Sequence, residues 1–245
     1  MKLSTIVFAG PSIHQTELAA YANITFCPPA ASGDILAAVN LGARTIGLID
    51  GVFGDCAAVW HKELLFALSK GVAVYGAASM GALRAAECDS FGMKGVGKIY
   101  EQYRDGSRLS DADVAVLHGP PDMSFQPVTI ALVDAEETIR ALQSLIGDDK
   151  TNSLLIAARR THFSRRTWRS IVTAAQLGQD MASLLSRNAI SVKRLDAEIL
   201  LDAVNNHHHD AGSRPVWRLQ NTLFFQEMIA RNAKRAVRFA GIRTR

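Results

Sequence analysis

Over its first 150 residues the chain alternates short apolar runs with segments of helical spacing, and nothing else in the sequence constrains the fold as tightly. The strand candidates are Leu3–Ala9 (LSTIVFA), Thr25–Cys27, Thr45–Ile49 (TIGLI), Val72–Tyr75 (VAVY) and Val114–Leu117 (VAVL). His14–Ala22, Asp34–Leu41, Ala57–Ser69 and Met80–Cys88 carry the helical pattern, and Gly42 and Gly71 stand where glycine commonly closes a helix. Strands joined through helices by short connections pair in parallel, because a parallel neighbour has to be reached by a crossover. The expectation is therefore an α/β fold: an open, mainly parallel, Rossmann-like sheet with helices on both faces.

From about Ser153 the pattern changes. LLIAARR, WRSIVTAAQLG, MASLLSRNAI, AEILLDAVNNHHH and LFFQEMIARNAKRAVRFA have helical spacing and no convincing strand, so a helical C-terminal extension is expected. The polar stretch Gly147–Asn152 (GDDKTN) marks the boundary, giving an α/β domain over 1–150 and a basic helical region over 151–245. Charge follows this division: 11 Lys and Arg face 17 Asp and Glu in the first part, and 16 face 6 in the second. A region with that excess suits an acidic partner, although a solvated basic face accounts for any single run.

No run approaches the roughly 18 uninterrupted apolar residues of a membrane-spanning helix. The N-terminal MKLSTIVFAGPS reads as a first buried strand and not as a signal peptide, which points to the cytoplasm. Cys27, Cys56 and Cys88 are odd in number and form no CxxC pair, so reduced thiols are expected and no metal site.

In open parallel sheets ligands bind beyond the carboxyl ends of the strands, a rule that converts the strand assignment into a site assignment. The residues at that edge are Gly10-Pro11-Ser12, Cys27-Pro28-Pro29, Asp50-Gly51-Val52-Phe53, Gly76 to Ser79, and His118-Gly119-Pro120. AASMG resembles the nucleophile elbow G-x-S-x-G, with Ala77 in place of the first glycine and Gly81 as the second. Ser79 is thus a candidate nucleophile, and the N–H groups near Met80 are candidate oxyanion donors. Serine is equally a preferred N-cap, and the local pattern by itself favours that plainer reading.

His61, near the start of its helix, faces the core with Leu64, Leu65 and Leu68 and is the first-choice base. Asp50 is a candidate orienting acid or a simple Asp-Gly turn, and His118 is a second base or a loop histidine. Glu63 lies on another helix face and is the weakest catalytic candidate, with surface pairing to a lysine such as Lys70 as its alternative. Gly10, Pro11, Ser12, Gly51, Phe53, Gly76, Met80, Gly81 and Arg84 are the candidate substrate contacts, Arg84 with the alternative of pairing with Glu87.

Sharper motifs are missing. The sequence has neither GxxxxGK[ST] nor a GxGxxG between strand and helix, and FGMKGVG follows no convincing strand. The HKE triplet lacks the PCxxC of the zinc deaminases. His207–His209 sit in a polar stretch where adjacent histidines do not converge on a metal, and no cofactor is expected. The basic segment Arg159–Arg169 (RRTHFSRRTWR) has the composition of a nucleic-acid contact, but a protein contact or a solvated helix face explains it as well.

Taken together and in this order, FAGPS, IDGVF, VWHKELLFAL, VYGAASMGALRAAE, FGMKGVGKIY and DADVAVLHGP resemble the TfuA family over about residues 5–135, most densely from Asp50 to His118. The resemblance implies partnership with a YcaO enzyme, which uses ATP to activate a backbone amide, and installation of thioamides in a peptide or protein. It further implies sulfur supply by hydrolysis of a thiocarboxylated ThiS-like carrier protein. The alternative is a non-catalytic adaptor that docks YcaO, carrier and peptide substrate. The oligomeric state, including a homo-oligomer, stays open.

Overall fold

A computed structural model of the protein describes residues 4–52, 54, 56–207 and 216–232. Phe53, His208, His209 and the C-terminal residues from 233 onward lie outside the described residues. The fold is α/β, built on an open five-stranded sheet in the order β2-β1-β3-β4-β5 with every neighbouring pair parallel. The strands are β1 (Thr5–Phe8), β2 (Thr25–Cys27), β3 (Thr45–Leu48), β4 (Ala73–Gly76) and the two-residue edge strand β5 (Lys94–Gly95).

The two-residue period of a strand sends alternate side chains to opposite layers. Ile6, Phe8, Ile46, Leu48 and Val74 face one core, with α1 (Asp34–Asn40), α2 (His61–Ser69), α3 (Met80–Cys88) and α4 (Lys98–Arg104). Val7, Ala9, Ile49 and Tyr75 face the other. Next in the chain, α5 (Leu132–Ala141), α6 (Gln143–Ile146), α7 (Asp148–Arg160), α8 (Trp168–Ala174) and α9 (Gln179–Arg187) share a third core of their own.

The second sheet face is covered from far along the chain. Helix α10 (Val192–Asn205) lays Ala197, Leu200, Leu201 and Val204 on it. Gly47 in β3 makes room, since a Cβ there would lie 2.8 Å from Leu200 Cδ2. Asp196 of the same helix accepts hydrogen bonds from the Lys98 and Ile99 N–H groups at 2.9 and 2.8 Å, satisfying the start of α4. This gives FGMKGVG its role: Gly97, at φ +91°, sits against the Asp196 carboxylate where a side chain would collide. Finally α11 (Leu223–Asn232) packs Phe225 and Met228 against Leu36, beside Trp60 and Phe66. Among the described residues no helix is long and apolar enough to cross a membrane.

Two expected elements are absent. His14–Ala22 is not an α-helix; the chain there makes two single turns, Pro11–Ile13 and Leu18–Tyr21, separated by Gln15 at φ +70°. Nor is Val114–Leu117 a strand. Its backbone is satisfied by side chains and turn contacts instead of a strand ladder: Lys193 Nζ donates to the Val114 carbonyl at 2.8 Å, Leu117 N–H donates to Thr129 Oγ1 at 2.8 Å, and the Leu117 carbonyl accepts from Val128 N–H at 2.7 Å. A short apolar run identifies burial, not the partner that satisfies its backbone. The fifth strand is Lys94–Gly95, too short and too polar to register as a strand in the sequence.

Candidate active site

β1 lies between β2 and β3, so the crossovers leaving β1 and β3 diverge and open a crevice at their carboxyl ends. Asp50, just past β3, is buried there. Its Oδ2 accepts from Gly10 N–H (2.9 Å) and Ser12 N–H (3.0 Å), and its Oδ1 accepts from Ser12 Oγ (2.7 Å). Asp50 therefore ties the turn after β1 to the end of β3. Gly10 is needed for the approach, because a Cβ would stand 2.6 Å from Pro29 Cγ.

A cation from α10 completes this cluster. Lys193 Nζ lies 3.9 Å from Asp50 Oδ1 and donates to the Val114 carbonyl, both side chains being almost fully buried. No sequence motif marks Lys193, yet a signal exists. It shares the helical stripe of Ala197, Leu200 and Val204, a charged residue in a register otherwise reserved for burial.

The turn from β4 into α3 carries Ser79. Gly81 allows α3 to start directly on the end of β3: a Cβ there would run into the Leu48 carbonyl, and one on Gly76 into the Gly81 carbonyl. Gly81 N–H donates to the Ile49 carbonyl at 3.2 Å, fixing the helix start. Ala78 takes φ +66°, and Ser79 N–H donates back to the Ala77 carbonyl at 2.7 Å, closing a three-residue turn. A left-handed non-glycine residue costs of order 1–3 kcal/mol, so the surrounding packing holds this turn against its local preference.

Ser79 occupies the N-cap position of α3, but its side chain makes no capping bond. Among the described residues its hydroxyl pairs with no other group, and the Met80 N–H meets no backbone acceptor. Both lie at the positive end of the α3 dipole.

These groups converge on a cavity of about 280 Å³ whose lining includes Asp50, Ser79, Met80, Arg84, His118 and Lys193. Val114–Leu117 form one wall and Phe163 part of another. His118 reaches the cavity from a loop, not from a strand end. Its Nδ1 lies 2.8 Å from the Gly119 carbonyl, which can only accept, so the neutral ring carries its proton on Nδ1 and presents a lone pair on Nε2. Phe125 packs against the ring edge-on at 5.6 Å. Arg84 is braced by the Val59 carbonyl (3.0 Å from Nε) and by Glu87 (2.6 Å from Nη1). Gly51 lets Met80 close over it, and Pro11 adds to the lining. A second, mainly apolar cavity of about 570 Å³ shares His118 and is lined by Trp60, Phe125 and Phe224 among others.

Two sequence candidates stand elsewhere. His61 turns outward, its Nε2 2.7 Å from Glu87 Oε2, and does not line the Ser79 cavity. Burial pushes the Glu87 carboxyl up, but hydrogen bonds from His61 and Arg84 outweigh it and hold the group below the ordinary range. Glu63 is fully buried instead of pairing on the surface. It accepts from Gly33 N–H (2.8 Å) and Trp60 N–H (3.2 Å), joining the starts of α1 and α2. Burial raises it to about 7 despite those bonds.

Burial also raises the Cys27 thiol to about 12 and that of Cys88 to about 11, which keeps both protonated, while Cys56 is exposed at the wall of the larger cavity. Part of the basic run is structural. Arg159 pairs with Glu136 at 2.7 Å, and the buried Arg166 donates to the Ala158 and Ile130 carbonyls. No group of three His, Cys, Asp or Glu among the described residues is arranged to hold a metal ion.

Residues 50–167 match the family model described as TfuA-like protein. Over these residues the chain belongs to the TfuA-like family. The matched stretch runs from Asp50 through Ser79 and His118 to Phe163, and so contains most of the cavity wall of this TfuA-like protein. Lys193, which closes the cavity from the second sheet face, lies beyond it. No curated protein matches the chain.

Proposed function

We propose that this TfuA-like protein hydrolyses the thiocarboxylate at the end of a ThiS-like carrier protein and passes the released sulfide to a YcaO-type partner that thioamidates a peptide backbone. The observation that carries the reading is the unpartnered Ser79 hydroxyl at the start of α3, beside the free Met80 N–H. Family membership supports the YcaO partnership.

In this reading Ser79 Oγ attacks the thiocarboxylate carbon while His118 Nε2 takes its proton. The C–S bond breaks, leaving an acyl-serine and hydrosulfide. Water then attacks the ester with the same base, releasing the carboxylate and restoring the serine. The sum is RCOS⁻ + H₂O → RCOO⁻ + HS⁻ + H⁺. The Met80 N–H and the α3 dipole stabilise the oxyanion, and Lys193 and Arg84 favour an anionic substrate in the cavity. Asp50 acts through position, holding the loop after β1 and fixing Lys193.

The test incubates the protein and thiocarboxylated carrier without YcaO and measures sulfide. Wild type releases it, and Ser79→Ala lowers the rate at least about a hundredfold. Because the hydroxyl pairs with no group among the described residues, the variant keeps its unfolding free energy within about 1 kcal/mol. Sulfide release by a folded Ser79→Ala at the wild-type rate sinks the serine mechanism. One observation favours the adaptor reading: among the described residues no base is hydrogen-bonded to Ser79 Oγ. Carrier binding by wild type without any sulfide decides for the adaptor.

A further inference from the structure

Two adjoining segments with unusual surfaces contribute Leu117, His118 and Phe163 to the wall of the Ser79 cavity. The first is the hairpin-like fold of residues 117–128. Val128 N–H donates to the Leu117 carbonyl at 2.7 Å, Gly119 N–H donates to the Gln126 carbonyl at 2.8 Å, and His118 bridges Pro127. It belongs to the long connection between α4 and α5, which holds only short turns, and connections of such length in compact domains are usually functional. Three large apolar side chains on it stand in solvent: Leu117 (44% exposed), Met123 (54%) and Val128 (64%).

The second segment runs from the end of α7 to the start of α8. It is joined to the first by Ile130 N–H, which donates to the Arg166 carbonyl at 2.8 Å. Phe163 from this segment and Leu117 and His118 from the hairpin line the same cavity. Around Phe163, Arg160, Arg165 and Arg169 are exposed and make no ion pair among the described residues. Nearby acidic groups are Asp111 in the cavity wall, Asp122 next to Met123, and Asp113 and Glu136, which also act on Arg166; the last two are taken up by Arg108 and Arg159, which leaves the rim basic.

Exposed apolar side chains beside unpaired arginines, on segments that also wall a cavity, have the make-up of a protein-docking surface. We infer that this rim docks an acidic protein whose reactive end enters the Ser79 cavity, with Met123 and Val128 as the apolar contact and Arg165 and Arg169 as the charge contact. Resting on the proposed hydrolysis, the inference assigns the rim to the carrier and not to the YcaO partner. Only the carrier has to place its terminus inside the cavity.

The experiment measures binding of a ThiS-like carrier in its carboxylate form, at low and raised salt, to wild type, Arg165→Glu/Arg169→Glu and Val128→Asp. Thioacetate hydrolysis is measured in parallel. The charge reversal weakens carrier binding about tenfold or more and removes most of its salt dependence, and Val128→Asp weakens binding at both salt concentrations. Thioacetate, too small to touch the rim, is turned over by the variants as by wild type. Three results overturn the assignment: equal carrier affinity in all proteins, no carrier binding by wild type, or unchanged carrier affinity with weakened YcaO binding. If wild type binds the carrier in this pattern but releases no sulfide from its thiocarboxylated form, the hydrolytic reading fails and the docking surface stands.

Discussion

Replacing Lys193 by methionine tests whether α10 is part of the site's construction. Methionine keeps the length and apolar stem, so the change isolates the ammonium. Two losses follow. The Val114 carbonyl, buried with its residue, loses its donor at 2.8 Å, and an unpaired buried polar group costs about 1–3 kcal/mol. Asp50 loses its cation at 3.9 Å, and unit charges at that separation attract by about 4 kcal/mol at an effective dielectric of about 20. The methionine does not have to desolvate an ammonium, which offsets part of both terms, and breaking a buried pair from one side costs about 3–5 kcal/mol. For a chain of this size that lowers the melting temperature by about 10 °C. Urea and thermal unfolding measure it, in a cycle with Asp50→Asn and the double variant. The double variant should cost at least about 1.5 kcal/mol less than the sum of the singles, because neither charge is then left alone. A loss below about 1 kcal/mol for Lys193→Met, or strict additivity, refutes the reasoning.

Gly81→Ala places a Cβ against the Leu48 backbone, which cannot move aside without shifting β3. Although alanine is favoured over glycine in a helix by about 1 kcal/mol, the variant should lose about 3 kcal/mol or more in chemical denaturation, and a stabilised variant contradicts the packing account. Glu63 is raised from an ordinary 4.5 to about 7, so between those values the folded protein holds a proton that the unfolded chain has released. Its contribution is complete below pH 4.5 and falls by about 3 kcal/mol as pH rises through 7. Glu63→Gln removes that titration and can accept from only one of the two N–H groups. Its deficit against wild type should therefore be largest near pH 5 and shrink towards pH 8, and a constant deficit rules the account out.

Much of the sheet was legible because its strands are short, nearly continuous apolar runs bounded by glycine and polar turns, as parallel strands buried on both faces must be. β1 to β4 and helices α1 to α3 fall where the pattern puts them. The error at Val114–Leu117 has a physical origin, since the same composition suits a cavity wall whose backbone is satisfied partly by the side chains of Lys193 and Thr129 and not by a strand ladder. His118 was selected for the wrong reason and still lines the cavity, because the loop carrying it folds back to the strand ends. His61 shows the opposite failure: its helix is where the sequence expects it, but side-chain direction depends on a neighbour, and Glu87 on α3 draws the ring outward.

By itself the sequence determined the layer order, the carboxyl edge and the serine turn, all consequences of local periodicity and of small residues where a helix meets a sheet. Whether Ser79 is a cap or a free hydroxyl was decided only in three dimensions, by Gly81 seated on β3 and by the strained Ala78 turn that leaves the side chain unbonded. The cation beside Asp50 was likewise a tertiary decision. The two residues are far apart in sequence, and no local pattern encodes which face of the sheet a distant helix will cover.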